Sequence, residues 1–193
     1  MAVAKTEGWK AKQWYNLVAP EMFGKANIGE TIADEPEKLI GRNIEVTLGE
    51  LTNDLSKQNT KLILKIDSVG GDSAYTKYMG HQLTQDYLRS LVKRETSSVE
   101  ANVSVTTKDG YTIRVKPSCF TIKIAREAQV KAIRHIMNIV IQAKAKELNM
   151  EQFVQEIVTG KLSANIYHDV KPVYPLRRVE VRKTEIEAEP VAS

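Results

Sequence analysis

Hydrophobic and polar positions alternate with a period of two in several stretches of the first 125 residues, and with a helical period after that. In NIEVTL, Ile44, Val46 and Leu48 face one side and Asn43, Glu45 and Thr47 the other. TKLILKID repeats the pattern, with Leu62, Leu64 and Ile66 opposite Lys61, Ile63, Lys65 and Asp67. One packed face and one wet face is the behaviour of an antiparallel sheet. SVEANVSVTTKDGYTIRVKP is the clearest unit: Val99, Ala101, Val103 and Val105 run out, Asp109-Gly110 turns, and Ile113 and Val115 run back between Thr112, Arg114 and Lys116. WYNLVAP reads as a short strand stopped by Pro20, and CFTIKI as a further strand. Within ADEPEKLIG, Asp34 as N-cap, Pro36 in the first turn, Glu37 and the closing Gly41 predict one short helix.

Three longer helices follow. Thr84 caps the first, with Leu83 and Leu88 placed as a hydrophobic staple and Arg89, Lys93 and Arg94 gathered at its end. The second spans about 126–147, with Val130, Ile133, Met137, Val140 and Ile141 as its apolar stripe. The third begins after Asn149, turns Phe153, Val154, Ile157 and Val158 inward, and stops at Gly160. A short helix over 162–171 and a last strand, LRRVEVRKTEIE, complete the chain. Strands first and helices clustered late predict an α+β fold, a mainly antiparallel sheet or barrel flanked by helices. The expected organisation is a flexible basic arm over 1–12, then a single domain over 13–184, then a disordered acidic tail over 187–193. Within the domain, 13–125 is β-rich, 126–171 is helical and the final strand spans 176–186.

Charge sharpens this picture. Net charge is +4, but residues 21–55 carry eight acids against three bases while 56–138 carry fourteen bases against seven acids. Such a two-sided distribution suits a molecule with one face turned to phosphate. The start has no apolar h-region and no apolar run reaches membrane-span length, so neither a signal peptide nor a membrane partner is expected. The single cysteine, Cys119, excludes an internal disulfide framework and fits a reducing cytosol.

Candidate chemistry is sparse. His81, His135 and His168 have no ligand spacing around them, so no metal and no cofactor is expected. Cys119 sits beside Phe120 in a strand-like run and reads as core. Val69-Gly70-Gly71-Asp72 lacks the Gly-Lys-Ser/Thr ending of a phosphate loop and reads as a hairpin turn or bulge. No nucleophile, zinc or dinucleotide motif occurs, so no catalytic residue is assigned. What remains is a set of cations on regular elements. Lys61 and Lys65 lie on a strand's polar face. Lys77 lies with Tyr75 and Tyr78 in a basic turn region. Arg89, Lys93 and Arg94 end a helix. Arg114, Lys116, Lys123 and Arg126 follow the hairpin return into the long helix. Arg177, Arg178, Arg182 and Lys183 crowd the last strand. Trp9, Lys10 and Lys12 form a candidate arm, whereas Trp14 reads as packing. Cations on rigid elements can track phosphates, and nearby tyrosines can stack on bases. Two other readings stay open on the residues alone: an enzyme acting on a nucleotide through Gly70, Gly71 and Asp72, and a free module that binds proteins through its sheet edge.

Longer stretches carry a resemblance. KQWYNLVAPEMFG, IGETIADEPEKLIGRNIEVTLGELTNDLSK, DYLRSLVKRETSSVEANVSVTTKDGYTIRVKP, AREAQVKAIRHIM and YPLRRVEVRK together resemble a small-subunit ribosomal protein family shared by archaea and eukaryotes. It is called S-three-A-e in the older naming and e-S-one in the newer. The likeness covers about residues 9–184, and the length resembles the archaeal branch. The resemblance implies a β-barrel-like core with surrounding helices and a structural, non-catalytic role in the cytoplasmic ribosome. It implies a position on the small-subunit platform near the messenger exit. The implied partners are small-subunit ribosomal RNA, neighbouring ribosomal proteins, and messenger RNA near that exit. It further implies RNA contact at Arg89, Lys93, Arg94, Lys108, Arg114, Arg177, Arg178, Arg182 and Lys183.

Overall fold

The computed structural model describes residue 9 and residues 12–190. Most of the expected arm, Lys10 included, and the end of the expected tail lie outside the described residues. The elements run β1 (Gln13–Val18), β2 (Asn27–Ala33), β3 (Asn43–Thr47), α1 (Leu48–Thr52), β4 (Thr60–Gly70), β5 (Ser73–Leu83) and α2 (Gln85–Leu91). They continue with β6 (Ser98–Glu100), β7 (Val103–Thr106), β8 (Thr112–Thr121), α3 (Glu127–Glu147), α4 (Met150–Val158), α5 (Lys161–Val170) and β9 (Leu176–Ala188). The α+β class holds. Hydrogen-bonded neighbours follow β2-β1-β5-β9-β8-β6, with β4 beside β5, β3 beside β4 and β7 beside β8. Among the described residues the path is open, with β2 and β6 at its ends, so the pairing makes a sheet and the barrel-like core the family likeness implied is not confirmed. Most pairs are antiparallel, but β1 and β5 run parallel.

The chain divides into two compact units, one up to Met79 and one from Gly80. The first unit is built around β1 to β4 and the start of β5. Its core joins Tyr15, Leu17, Ala33, Leu39, Ile66 and Ala74, with Ile28, Ile44 and Val69 packed against it. Alternation in β1 turns Tyr15 and Leu17 inward and Trp14 outward, where Trp14 is 61% exposed. This corrects the packing role expected of Trp14: a strand with one buried face must present every second residue to solvent. The expected helix at 34–41 is a 3₁₀ turn over Pro36–Leu39. Asp34 does not cap it and instead pairs with Lys38 at 2.7 Å. Helix α1 was not expected. Thr47 accepts from the Glu50 N–H while the Glu50 carboxylate accepts from the Thr47 N–H, a capping box that ends the strand reading at Thr47. Nor was β5 expected. Lys77, Tyr75 and Tyr78 lie on this strand and not in a turn region, and Tyr78 is buried with its ring 6.3 Å from that of Phe23.

In the second unit β8 is flanked by β9 on one side and by β6 and β7 on the other. β6 and β7 are the two halves of the single strand expected before the Asp109-Gly110 turn, and Gly110 takes the left-handed φ of +83° that the turn requires. Helix α3 packs on α5 and β7, and α5 packs on β9. Ile133, Met137, Ile141 and Ala145 of α3 are fully buried, with Val130 and Val140 at the margin of the stripe. Each large side chain so buried contributes roughly 1.5–3 kcal/mol. Phe153 and Ile157 of α4 and Leu162, Ile166 and Val170 of α5 complete this layer. β9 runs to Ala188, two residues beyond the expected strand, because Glu187 at its end pairs with Arg114 of β8.

Candidate nucleic-acid interface

The local chemistry of the second unit begins with a proline. Pro117 lies inside β8 and has no N–H to give the ladder. Lys116 pairs with Lys183, yet Pro117 pairs with Val181, so Arg182 is the extra residue of a bulge. A bulge re-aims side chains by letting two consecutive residues leave on one side of the strand. Val181 and Thr184 are buried while Arg182 and Lys183 between them are both half-exposed. On the other edge of β9, Lys183 pairs with Gln82 of β5. Gln82, Lys183 and Lys116 therefore stand in one row across three strands.

Helix α2 starts at Thr84, immediately after this row, and adds Gln85, Leu88 and Arg89. The result is a cleft of about 460 Å³ lined by Gln82, Gln85, Leu88, Arg89, Lys116, Arg182 and Lys183. Like charges directly opposite on neighbouring strands repel. Here Glu185 offsets the repulsion, accepting from Lys116 at 3.0 Å and from Lys183 at 2.5 Å. The Lys183 ammonium first, and the Lys116 ammonium next, hold the Glu185 carboxyl below the usual carboxylate range. Arg182 reaches Glu100 at 3.1 Å. Arg89 has no ion pair among the described residues.

The floor of the cleft is pinned from beneath by His81. Its Nδ1 lies 2.7 Å from Thr184 Oγ1 and its Nε2 lies 3.1 Å from the Val181 carbonyl oxygen. A carbonyl only accepts, so Nε2 carries the proton and Nδ1 accepts from the threonine hydroxyl. Burial lowers the His81 pKa to about 4, against the weaker opposing pull of the Val181 carbonyl. The histidine is thus neutral and structural, and its two partners bracket Arg182 and Lys183. Next to it, Gly80 lies so close to β9 that a Cβ there would overlap the Thr184 carbonyl oxygen.

The remaining expected contacts are dispersed. In the second unit, Lys93 and Arg94 lie beyond the end of α2, Lys108 lies at the β7–β8 turn, and Lys123 and Arg126 lie between β8 and α3. Arg114 pairs with Glu187. Arg178 donates to Glu180 at 2.8 Å, a carboxylate that also accepts from the Tyr87 hydroxyl. Arg177 is half-buried on β9. In the first unit, Lys61 pairs with Glu45 at 3.3 Å and Lys77 with Asp67 at 3.4 Å, while Lys65 has no ion pair among the described residues. Lys12 Nζ lies 4.6 Å from the centre of the Trp9 ring, a cation–π contact. Cys119 is buried against Met137 and burial pushes its thiol up to about 12, so its core assignment stands. Gln82, Gln85, Leu88 and Glu185 were missed because nothing in their spacing announces them. The one usable signal was Pro117 inside a strand pattern, and it marks the break between β6 and β7, whose Ala101 N–H reaches the Pro117 carbonyl, and not the bulge in β9.

Four cations and two amides converge on one concave surface, where Glu185 is shared by Lys116 and Lys183 and Glu100 pairs with Arg182. This arrangement is that of an α+β protein with a cationic cleft formed by its sheet and one short helix. The chain belongs to the Ribosomal S3Ae family, whose model matches residues 2–190. It is similar to the small ribosomal subunit protein eS1 of Methanothrix thermoacetophila, with 61% identity over 98% of this chain and 90% of that protein. It is also similar to the proteins of the same name from Archaeoglobus fulgidus, at 52% identity over 94% and 87% of the two chains, and from Haloarcula marismortui, at 50% over 93% and 84%. This is a family of ribosomal structural components and not of enzymes, so the nucleotide-enzyme reading falls. No helix among the described residues is long and apolar enough to cross a membrane.

Proposed function

We propose that this chain is a structural constituent of the small subunit of the cytoplasmic ribosome and supports translation by binding small-subunit ribosomal RNA. In this reading the cleft of the second unit is the principal phosphate site, with Arg89, Lys116, Arg182 and Lys183 as its cations. The observation that carries it is the convergence of these four side chains, from β8, β9 and α2, on one cleft. Phosphate binding is favoured by cations on rigid elements, because little side-chain freedom is lost on contact. Lys93, Arg94, Lys108, Lys123, Arg126 and Arg177 extend the footprint as peripheral contacts. Arg114 and Arg178 first serve their carboxylate partners within the sheet. The family likeness further supports a place on the platform near the messenger exit, beside other small-subunit proteins and within reach of messenger RNA.

Binding is positional: neutralised phosphates lock RNA segments into one arrangement. The test is the salt dependence of affinity for a small-subunit ribosomal RNA fragment between about 0.05 and 0.5 M salt, where each phosphate contact contributes roughly 0.7–0.9 to the log–log slope. Arg89→Ala, Arg182→Ala and Lys183→Ala combined should reduce that slope by about 2–3 and release the protein from small subunits in a sucrose gradient. An unchanged slope together with unchanged co-sedimentation overturns the assignment of the cleft.

A further inference from the structure

The outer face of the first unit holds a second feature, which the cleft does not use. Trp14 is 61% exposed and Tyr75 is 49% exposed. The register puts both on the same face. Asn16 pairs with Ser73 and Val18 with Tyr75 in the parallel β1–β5 ladder, and Trp14 lies two residues before Asn16, hence on the same side of the sheet. The opposite face, bearing Tyr15, Leu17 and Ala74, is the buried one. Between the two rings lies the turn Gly70-Gly71-Asp72, tied to β1 by the Asn16 N–H donating to the Asp72 carbonyl at 2.8 Å. Tyr75 leans over this turn: its Cε2 would be 3.4 Å from a Cβ at Gly70, while the same position at Gly71 opens onto empty space. The glycines therefore leave a floor of bare backbone beside two open aromatic faces.

The surrounding charges complete the site. Lys12 is two residues from Trp14 and Lys77 two residues from Tyr75. Lys25 lies near enough to Tyr75 for the two side chains to interact through space. Lys25 and Lys77 pair with the exposed carboxylates of Glu21 and Asp67, and such pairs are weak enough to exchange for a phosphate. Asp67 and Asp72 keep the face from being strongly cationic, which disfavours a duplex backbone and leaves the π faces as the dominant attraction.

We infer that this face of the first unit is a stacking platform for unpaired RNA bases, with Trp14 and Tyr75 as its two stations. The inference rests on the RNA-binding role proposed above, but it assigns a different surface and a different chemistry. A stack tolerates any base, because every base has a π face, and it responds less to salt than a phosphate contact does. The platform thus selects strandedness and not sequence.

The test uses the full chain carrying Trp9→Phe, which leaves Trp14 as the only tryptophan. A single-stranded oligoribonucleotide and the duplex of the same sequence are titrated while its fluorescence is followed. The single strand should quench Trp14 and the duplex should not. Trp14→Ala and Tyr75→Ala, both at exposed rings and so neutral for folding, should each weaken single-strand binding by roughly 5- to 100-fold, and Trp14→Phe should keep most of it. Quenching by the duplex as strongly as by the single strand, or no loss with Trp14→Ala, overturns the platform. So does a Trp14→Ala variant that binds RNA normally but no longer binds a neighbouring ribosomal protein, which would make the face a protein contact. Loss of the platform with the salt slope of the cleft intact leaves the proposed function standing. Loss of both removes it.

Discussion

Acidification should act on this protein through one buried imidazole. His81 is buried under the cleft and its pKa falls from the ordinary 6.5 to about 4, chiefly through desolvation. In the unfolded chain the ring takes up a proton near pH 6.5; in the folded chain it resists until about pH 4. Between these values the unfolded state binds more protons, so stability falls as pH falls. The loss begins near pH 6.5, amounts to about 2 kcal/mol at pH 5, and levels off at about 3 kcal/mol below pH 4. A proton on Nδ1 would turn that atom from acceptor to donor against Thr184 Oγ1, which already accepts from the His81 N–H at 3.2 Å. The consequence lands on Val181 and Thr184, the residues on either side of Arg182 and Lys183. Carboxylates also titrate in this range, so the measurement is a difference. Urea unfolding at pH 7 and pH 5 is compared between the native chain and His81→Gln, which hydrogen-bonds but does not titrate. The native chain should lose about 2 kcal/mol more than the variant, or about 4–8 °C in melting temperature at this chain length. Equal losses in the two proteins, or a folded-state imidazole that titrates near pH 6.5 by NMR, refute the reasoning.

Two further outcomes follow from the same region. Gly80→Ala forces a methyl group into the Thr184 carbonyl across the β5–β9 ladder, so it should cost about 3 kcal/mol, readable as a drop in the urea midpoint, whereas alanine at an ordinary strand glycine is near neutral or better. Glu185→Gln removes the carboxylate shared by Lys116 and Lys183, and because these partly exposed pairs are screened it should lower stability by only about 1 kcal/mol. The same change frees two ammonium groups for phosphate, so RNA affinity should rise and the salt slope steepen, and a weaker-binding variant would mean that Glu185 positions the lysines and does not compete with RNA.

The order of strands and helices was legible from periodicity because burial imposes it locally. Leu62, Leu64 and Ile66 are buried where alternation places them, α3 carries its stripe on Ile133, Met137 and Ile141, and Thr84 and Gly160 stand at helix ends, Gly160 in the left-handed conformation and Thr84 with no capping hydrogen bond from its side chain. The family was legible too, in long idiosyncratic stretches and not in any active-site motif. The cations were recognisable by type and by element. Periodicity failed where partners from afar decide the outcome. SAYTKYMGHQL has no clean alternation, since Ala74, Thr76 and Tyr78 are buried in one unit and His81 and Leu83 in the other.

The sequence by itself determined which residues seek burial, where the chain turns and that its surplus charge is positive, because these follow from side-chain chemistry and near neighbours. The tertiary structure alone decided which cations matter. Arg182 and Lys183 share a cleft because the β8–β9 register shifts between Lys116 and Pro117 and leaves Arg182 as the extra residue of a bulge, a pairing of segments some sixty-odd positions apart. Lys61, Lys77 and Arg114 are engaged by Glu45, Asp67 and Glu187, pairings set by strand register that no local pattern encodes. Trp14 faces solvent for the same reason: the chain can specify that one face of β1 is buried, but only the strands on either side decide which one.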